Sequence, residues 1–226
     1  MSRGGSVETS ATPGDEPLGA PWVRLAISAV GLVLVAGALA AGFWSRGRVV
    51  EDFIRPDRER SLGRFSLTDR TGRTVTEAEL RNRYAVVSFV FTSCGTTCLR
   101  VSRQMAALQR QLAASNDVQL VSLTVDPRTD TPDVLNRFAA KFGADTNRWL
   151  FLTGPKDAVL PLIETSFLVR ESIPGEAAMP GDFAHMERLA VVDRRGDVRA
   201  YFDGLNTNTP AAVLAFLDRL RKEETR

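Results

Sequence analysis

The 226-residue sequence contains only one histidine and two cysteines, and only three of its 29 basic residues are lysines. A single histidine cannot build a three-histidine zinc site or an HExxH motif. Two cysteines cannot hold an iron–sulfur cluster alone, and they are too few to staple a small disulfide-rich fold. Any chemistry of soft metals or thiols can therefore draw only on Cys94, Cys98 and His185.

The sequence also lacks a large excess of either charge. Its 29 basic and 27 acidic side chains leave a formal charge of +2. A dedicated nucleic-acid-binding protein would show a basic stripe, so we expect no nucleic-acid partner. The apolar fraction of 44% and the charged fraction of 25% are typical of a globular protein.

The N-terminal part contains a long apolar run. Residues 1–21, rich in Gly, Ser, Thr and Pro, are predicted to be a disordered tail. The run Leu25–Trp44 has 20 residues without a charge, and a helix of that length spans about 30 Å, the thickness of a bilayer core. Trp22 and Trp44 lie at its ends, as interfacial aromatic residues do. The sequence therefore predicts a transmembrane anchor over residues 22–45.

Two alternatives for this run are a buried helix of a soluble domain and a cleavable signal peptide. Buried helices are rarely apolar on all sides over about five turns. Ala38-Leu39-Ala40 has the small-x-small form of a cleavage site, but the run is longer than a usual signal-peptide core and acidic residues precede it. An uncleaved anchor is favoured.

Arginines are distributed unevenly around the run. Arg3 and Arg24 precede it, and a larger set follows it: Arg46, Arg48, Arg55, Arg58, Arg60 and Arg64. The positive-inside rule alone would leave the C-terminal domain in the cytoplasm, although the rule weakens for a long folded domain. Residues 46–61 are predicted to be a charged linker, and the charges leave the orientation open.

Residues 62–226 are predicted to form one α/β domain, which is long enough for a single core. After a hairpin at residues 65–75 with its turn at 69–72, the predicted strands are Ala85–Phe91, Val118–Val125, Trp149–Leu152, Leu189–Val192 and Val198–Phe202. A second hairpin turn at residues 193–197 joins the last two strands. The predicted helices are Cys98–Ala114, Pro132–Phe142, Asp157–Phe167 and Thr209–Lys222. This order indicates an α/β sandwich with a mixed central sheet in a thioredoxin-like arrangement.

Cys94 and Cys98 directly follow a predicted buried strand and lie at the start of a predicted helix. The free N–H groups and partial positive charge of a helix N-terminus stabilise a thiolate. We therefore expect at least one unusually acidic sulfur, with Arg100 and Arg103 as further positive charges. The i, i+4 spacing puts both sulfurs on one side of the first turn, within reach of a disulfide or a shared metal. A pair of buried, inert cysteines is the alternative.

His185 lies shortly before the predicted strand Leu189–Val192. A lone histidine is by default an ordinary structural side chain. In a thioredoxin-like sheet, however, the loop before this hairpin lies beside the thiol loop, so a neutral imidazole there could join two thiolates in a three-ligand site. Such a soft set of low coordination suits Cu(I), with zinc as the competitor.

Other side chains near these motifs were weighed as ligands. Asp126 and Asp130 are interpreted as turn and capping residues rather than as a metal site. Met105 falls on the apolar stripe of its helix and is interpreted as a core residue. Met186 adjoins His185, and its role stays open.

Three ordered segments resemble the Sco/SenC family, membrane-anchored thioredoxin-fold proteins that deliver copper to cytochrome c oxidase. Residues 89–98 (FVFTSCGTTC) resemble the family's strand followed by Cys-x-x-x-Cys. Residues 122–132 (SLTVDPRTDTP) resemble its Ser-x-(Val/Ile)-Asp-Pro-x-x-Asp-Thr-Pro segment. The third segment runs from His185 to Asp193 and continues with Gly196, Tyr201, Asp203 and Gly204. The resemblance extends over residues 62–220.

The resemblance implies that Cys94, Cys98 and His185 ligate copper, as Cu(I) or Cu(II). It implies as partners the copper-bearing subunit of cytochrome c oxidase and a thiol reductant or upstream copper donor. It also implies a single-pass membrane protein whose C-terminal domain lies outside the cytoplasm, which opposes the arginine count. Gly95 and Leu99 depart from the prolines of many members, and the flexible Gly95 could alter metal affinity or redox potential.

Two functions share these residues. A metallochaperone would hold copper on Cys94, Cys98 and His185 and pass it to the oxidase subunit by ligand exchange. A thiol–disulfide oxidoreductase would instead keep the target's cysteines reduced, with Cys94 attacking and Cys98 resolving. A thiol peroxidase is disfavoured because the sequence has no Pro-x-x-x-Thr-x-x-Cys signature.

Overall fold

The computed structural model describes residues 53–56, 60–167 and 187–225. The predicted tail 1–21, the predicted anchor 22–45, His185 and Met186 lie outside the described residues. Among the residues that it does describe, no helix has the length and apolar character needed to cross a membrane.

Eight strands and four α-helices make up the described part of the chain. The strands are β1 (Phe53–Ile54), β2 (Ser66–Asp69), β3 (Thr74–Thr76), β4 (Tyr84–Val90), β5 (Val118–Thr124), β6 (Trp149–Thr153), β7 (Arg188–Val192) and β8 (Val198–Asp203). The helices are α1 (Thr97–Gln111), α2 (Pro132–Ala140), α3 (Lys156–Phe167) and α4 (Thr209–Glu224). Pro132 follows the N-cap Thr131, as predicted, and the Thr131 hydroxyl accepts a hydrogen bond from the Val134 N–H.

The strands form one mixed sheet in the order β1-β8-β7-β4-β5-β6-β2-β3. The neighbouring strands β4, β5 and β6 run parallel, and the other neighbours in the sheet pair antiparallel. Helices connect the parallel strands, as parallel pairing requires. The prediction of a thioredoxin-like α/β sandwich with a mixed central sheet is confirmed.

The central strands are buried on both faces, which explains their nearly continuous apolar sequence. Because successive side chains of a strand point to opposite faces, each strand contributes to two cores. Val86 and Leu120 belong to the core beneath α1, α2 and α4. Val87 and Val121 belong to the core on the other face, beneath α3.

Two hairpin turns close in the same way. Asp69 ends β2, and Asp193 directly follows β7. The buried carboxylate of each accepts hydrogen bonds from the backbone N–H groups of the second and fourth residues after it. Gly72 and Gly196, three residues after each aspartate, have φ of 84° and 95°, a conformation that costs glycine nothing. The predicted turns are confirmed, and the second one fixes β7 against β8.

The sequence did not predict strand β1, which lies within residues 46–61, the segment predicted to be a linker. Phe53 pairs with Phe202 and Ile54 with Tyr201 on β8. The Phe53 ring lies 4.7 Å from the ring of Phe216 on α4, between ring centroids. A strand of two residues is too short to produce a readable alternation, so only its tertiary contacts reveal it.

Candidate thiol and metal site

The two cysteines lie at the connection between a buried strand and the helix that follows it. β4 ends at Val90, the loop occupies residues 91–96, and α1 begins at Thr97. The Cys94 N–H donates to the carbonyl oxygen of Phe91 at 2.9 Å, which closes a tight turn before the helix. Cys98 lies in the first turn of α1, so the predicted strand–loop–helix context is observed.

The start of α1 carries no side-chain cap. Thr96, at the N-cap position, makes no side-chain cap hydrogen bond, and the first turn contains no acidic residue. The backbone N–H groups of Cys98, Thr96 and Thr97 instead favour the charged form of the Cys94 sulfur. The free N–H donors of this helix N-terminus are therefore available to a negatively charged sulfur.

This arrangement makes the Cys94 thiol acidic. Partial burial works to raise its pKa, but the N–H groups of the helix start and the thiol of Cys98 outweigh that effect. The pKa of Cys94 is therefore below its ordinary value, because hydrogen bonds to the charged form stabilise the thiolate. The expectation of one unusually acidic sulfur agrees with this result.

Cys98 has the opposite character. Its side chain is 2% exposed and packs in the core beneath α3. Burial, the hydrogen bond to Cys94 and the negative charge of that sulfur raise its pKa to about 12. The pair thus consists of one half-buried thiol of lowered pKa and one buried thiol of raised pKa, and both cysteines are free.

A buried carboxylate supports the loop that carries Cys94. Asp130 is fully buried and accepts hydrogen bonds from the backbone N–H of Thr92, at 3.3 Å, and from the Thr92 hydroxyl. It also accepts a hydrogen bond of 2.6 Å from the Thr124 hydroxyl at the end of β5. Asp130 therefore ties the thiol loop to the neighbouring strand, a role that the sequence interpretation as a turn or capping residue missed.

The other weighed ligands fall outside the thiol pair. The carbonyl oxygen of Asp126 accepts from the N–H groups of Thr129 and Asp130, so this residue forms a turn. Met105 is completely buried in the core beneath α1, as predicted. Across residues 53–56, 60–167 and 187–225, no group of three His, Cys, Asp or Glu side chains is placed to hold a metal ion.

Glu187, the described residue nearest in sequence to His185, contacts Gly204, and Gly204 lies beside the cysteine-bearing helix. The Gly204 N–H donates to the Glu187 carbonyl oxygen at 2.6 Å. A Cβ on Gly204 would lie 2.4 Å from that oxygen and 3.1 Å from Cγ2 of Val101 on α1. The guanidinium of Arg100 also donates to the carbonyl oxygen of Leu205, at 3.1 Å. The start of β7, the end of β8 and α1 therefore meet at this point.

The two departures from the family pattern have different surroundings. No heavy atom lies within 4 Å of the position that a Cβ on Gly95 would occupy. Leu99 is half-buried and packs against the core beneath α1. Gly95 therefore leaves open space beside the exposed edge of the loop, whereas Leu99 contributes to packing.

The fold and the site together define a class of protein. It is a thioredoxin-like domain with a Cys-x-x-x-Cys pair at a helix N-terminus, in which the two thiols have opposite pKa shifts. The sequence model of the SCO1/SenC family matches residues 55–220, so the chain belongs to this family, which includes cytochrome c oxidase assembly proteins. It is 36% identical over 147 residues to the SCO1 protein homolog of Bacillus subtilis strain 168, covering 65% of this chain and 75% of that protein.

Solved structures support the same assignment. The chain is similar to BsSco, a member of the Sco family of cytochrome c oxidase assembly proteins in which a disulfide switch was identified. Their TM-score is 0.61 at 25% identity, over 74% of this chain and 96% of that one. It also shares the fold of Bradyrhizobium japonicum ScoI, solved with copper bound, with a TM-score of 0.56 at 24% identity over 70% of this chain and 97% of that one.

Proposed function

We propose that this chain is a copper-binding metallochaperone that delivers copper to the copper-bearing subunit of cytochrome c oxidase during assembly. Cys94, Cys98 and His185 are the proposed ligands. The observation that carries the proposal is the pair of free cysteines, one half-buried and one buried, at an uncapped helix N-terminus. Copper is the cargo in this function, and its donor and the thiol reductant that keeps the cysteines reduced are further partners.

The sulfur pair suits a soft ion. Thiolates and imidazole are the ligands that Cu(I) prefers, and the N–H groups at the start of α1 hold negative charge on Cys94. The raised pKa of Cys98 means that this thiol keeps its proton in the free protein. Copper must therefore displace a proton from Cys98 when both sulfurs bind, which makes affinity increase with pH.

Chain geometry supports His185 as the third ligand. His185 precedes Glu187 by two residues, and two residues of extended chain reach at most about 7 Å. Glu187 is held by Gly204 next to Val101, one helical turn beyond Cys98. This short connection supports the proposal that the imidazole reaches the sulfurs.

The residues around Cys94 are exposed and Cys98 is buried, which favours transfer of copper from the Cys94 side. Ser93, Gly95 and Thr96 around Cys94 are exposed, whereas Cys98 is enclosed by the core. An incoming ligand from the partner can therefore reach copper past the Cys94 loop, and the contact with Cys98 would be the last to break. The proposed transfer proceeds by ligand exchange from this open side.

Anaerobic Cu(I) titration of the reduced full chain tests the proposal. We expect His185→Ala and Cys98→Ser each to weaken the affinity by more than about tenfold, as losses in metal sites do. Ser93→Ala, an exposed change beside Cys94, is the matched control and should keep the wild-type affinity. If His185→Ala binds copper as tightly as the wild type, the three-ligand site is wrong.

A thiol–disulfide oxidoreductase that reduces the target's cysteines is the second candidate, and the contrast between the two thiols favours it. The Cys94 thiolate would attack a disulfide sulfur and release the other sulfur as a thiolate. Cys98, after losing its proton, would then attack the Cys94 sulfur of the mixed disulfide. The bond to the target would break, its second sulfur would leave as a thiolate, and a Cys94–Cys98 disulfide would remain. Wild-type chain that turns over a disulfide substrate without binding copper would support this function instead, and His185→Ala should leave it largely intact.

The proposed organisation has four parts. Residues 1–21 form a disordered tail, residues 22–45 a single transmembrane anchor, residues 46–61 a linker and residues 62–226 the copper-binding domain, with β1 of the sheet supplied from the linker. The domain is proposed to lie outside the cytoplasm, on the side where copper enters the oxidase subunit. This placement follows the family resemblance rather than the count of flanking arginines.

A further inference from the structure

Asp130 is a buried carboxylate that receives hydrogen bonds from the ends of two neighbouring strands. It is 0% exposed. The backbone N–H and the hydroxyl of Thr92, two residues after β4, donate to it, and the Thr124 hydroxyl donates from the end of β5 at 2.6 Å. A carboxylate can accept all three, whereas a carboxamide has a single acceptor oxygen. Because a buried carboxylate is stable only when donors satisfy it, Asp130 holds Thr92 and Thr124 in place.

Thr92 is fixed to this carboxylate at two points. Its N–H, at 3.3 Å, restrains the backbone, and its hydroxyl restrains the side-chain rotamer. Cys94 follows two residues later, and its N–H donates to the Phe91 carbonyl oxygen at 2.9 Å. The turn that carries the Cys94 sulfur is therefore built around a residue that Asp130 holds against the sheet.

The residues between the two sulfurs and beside them have exposed side chains. Ser93, Gly95 and Thr96 are exposed, and Thr96 makes no side-chain cap hydrogen bond at the start of α1. Glycine loses more conformational freedom than any other residue when it is ordered. Two sulfurs can share one ion only when the loop between them is ordered, so a loop that is already held at one end loses less entropy on binding.

We propose that Thr92 and Asp130 are positioning residues for copper, whose hydrogen bonds hold the Cys94 sulfur at the start of α1 so that it can share one ion with Cys98. This inference rests on the copper site of the proposed function. Thr92 and Asp130 act by keeping the loop ordered before the ion arrives, and not as ligands. Removing the Thr92 hydroxyl should therefore weaken copper binding although every proposed ligand stays in place.

Anaerobic Cu(I) titration of the reduced full chain in nonionic detergent, against a competing chelator, tests this role. Thr92→Val keeps the shape of the side chain and removes its hydroxyl. We expect it to weaken Cu(I) binding at least about tenfold, as loss of a group that orients a metal ligand does. Thr92 is changed rather than Asp130, because the negative charge of Asp130 also acts on Cys98. Thr92→Ala removes the same hydroxyl and takes the place of Thr92→Val if that variant does not fold.

A rescue variant and a matched control separate positioning from general stability. Thr92→Ser restores the hydroxyl and should bind Cu(I) as the wild type does. Thr71 makes the same pair of bonds to another buried carboxylate, because its N–H and its hydroxyl donate to Asp69 at 2.7 Å and 2.6 Å. Asp69 ends β2, which β5 and β6 separate from β4 in the sheet. Thr71→Val should therefore keep the wild-type affinity, and urea unfolding of both valine variants checks that folded chains are compared.

Hydrogen–deuterium exchange of the metal-free chain measures the order of the loop directly. Amides of residues 93–98 should exchange several-fold faster in Thr92→Val than in the wild type or in Thr71→Val. Bound Cu(I) should remove this difference, because the ion then orders the loop through its two sulfurs.

The outcomes distinguish this role from the proposed function. Folded Thr92→Val that binds Cu(I) as tightly as the wild type would overturn the positioning role and leave the copper site standing. Thr92→Ser or Thr71→Val that loses as much affinity as Thr92→Val would also overturn it, because the Thr92 hydroxyl would then not be the cause. A wild-type chain that binds no Cu(I) contradicts the proposed function, and the positioning role with it.

Discussion

Cys94 and Cys98 are the same residue type four positions apart, yet the fold gives them opposite acidity. Partial burial works to raise the pKa of Cys94, but the N–H groups at the start of α1 favour its charged form and lower that pKa. Cys98 is enclosed by the core and contacts the negative sulfur of Cys94, which raises its pKa to about 12. Because the thiolate is the reacting form, the difference should be measurable as reactivity.

We predict that iodoacetamide modifies Cys94 more than about a thousandfold faster than Cys98 at pH 7 in the reduced, metal-free full chain, because a thiol of pKa about 12 has so little thiolate there. Raising the pH should bring the Cys94 rate to a plateau above its lowered pKa. The Cys98 rate should keep rising about tenfold per pH unit toward pH 12. Both cysteines lie in the tryptic peptide of residues 84–100, so fragment ions from tandem mass spectrometry over time measure the two rates separately.

Single-cysteine variants control for the order of labelling. Cys98→Ser should keep a fast, early-saturating rate at Cys94, and Cys94→Ser should leave Cys98 slow. Equal rates in the two variants at neutral pH would contradict the difference in acidity and exposure.

At the scale of elements, the end of β8 joins the start of β7 to α1 through one glycine. Gly204 has no side chain, so the backbone of Glu187 and Cγ2 of Val101 approach it closely. A methyl group there would lie 2.4 Å from the Glu187 carbonyl oxygen, so the backbone must shift. Overpacking of this kind costs about 1–3 kcal/mol.

We predict that Gly204→Ala lowers the free energy of unfolding of the full chain by about 1–3 kcal/mol, because the backbone at Glu187 must move. Pulse proteolysis across a urea series in nonionic detergent measures the change. Gly63→Ala is the matched control, since no heavy atom lies within 4 Å of the added methyl group. If both variants unfold at the same urea concentration, the close approach at Gly204 contributes no stability.

The elements also show how far sequence patterns reach. Sequence patterns predicted the strands β4, β5 and β6 from their apolar runs, and the two turns from Asp-x-x-Gly. These predictions were possible because burial and turn geometry leave a local pattern in the sequence. The sequence did not predict that Asp130 supports the cysteine loop. Its hydrogen bond joins it to Thr92, 38 positions away, and depends on the alignment of β4 with β5. The two-residue strand β1 was missed for a similar reason. The ligand role of His185 stays a prediction.

At the scale of the whole molecule, the arginines after the apolar run are not all free flanking charges. Arg55 lies next to β1 with its guanidinium over Phe53, and Arg60 donates to the carbonyl oxygen of Thr165 on α3. The positive-inside rule counts charges in short loops near a membrane segment, and its influence falls for long folded domains. Arginines that belong to the folded domain are therefore weak evidence for a cytoplasmic location.

We predict that alkaline phosphatase fused after Arg226 is active in a bacterial host, because the anchored domain and its fusion partner are translocated despite the flanking arginines. Enzyme activity normalised to fusion protein, detected on an immunoblot, measures the location. Deleting residues 25–44 is the control, and that fusion should accumulate without activity because nothing directs it across the membrane. A full-length fusion that is abundant but inactive would place the domain in the cytoplasm, and copper delivery on the outer side would then be impossible for this chain.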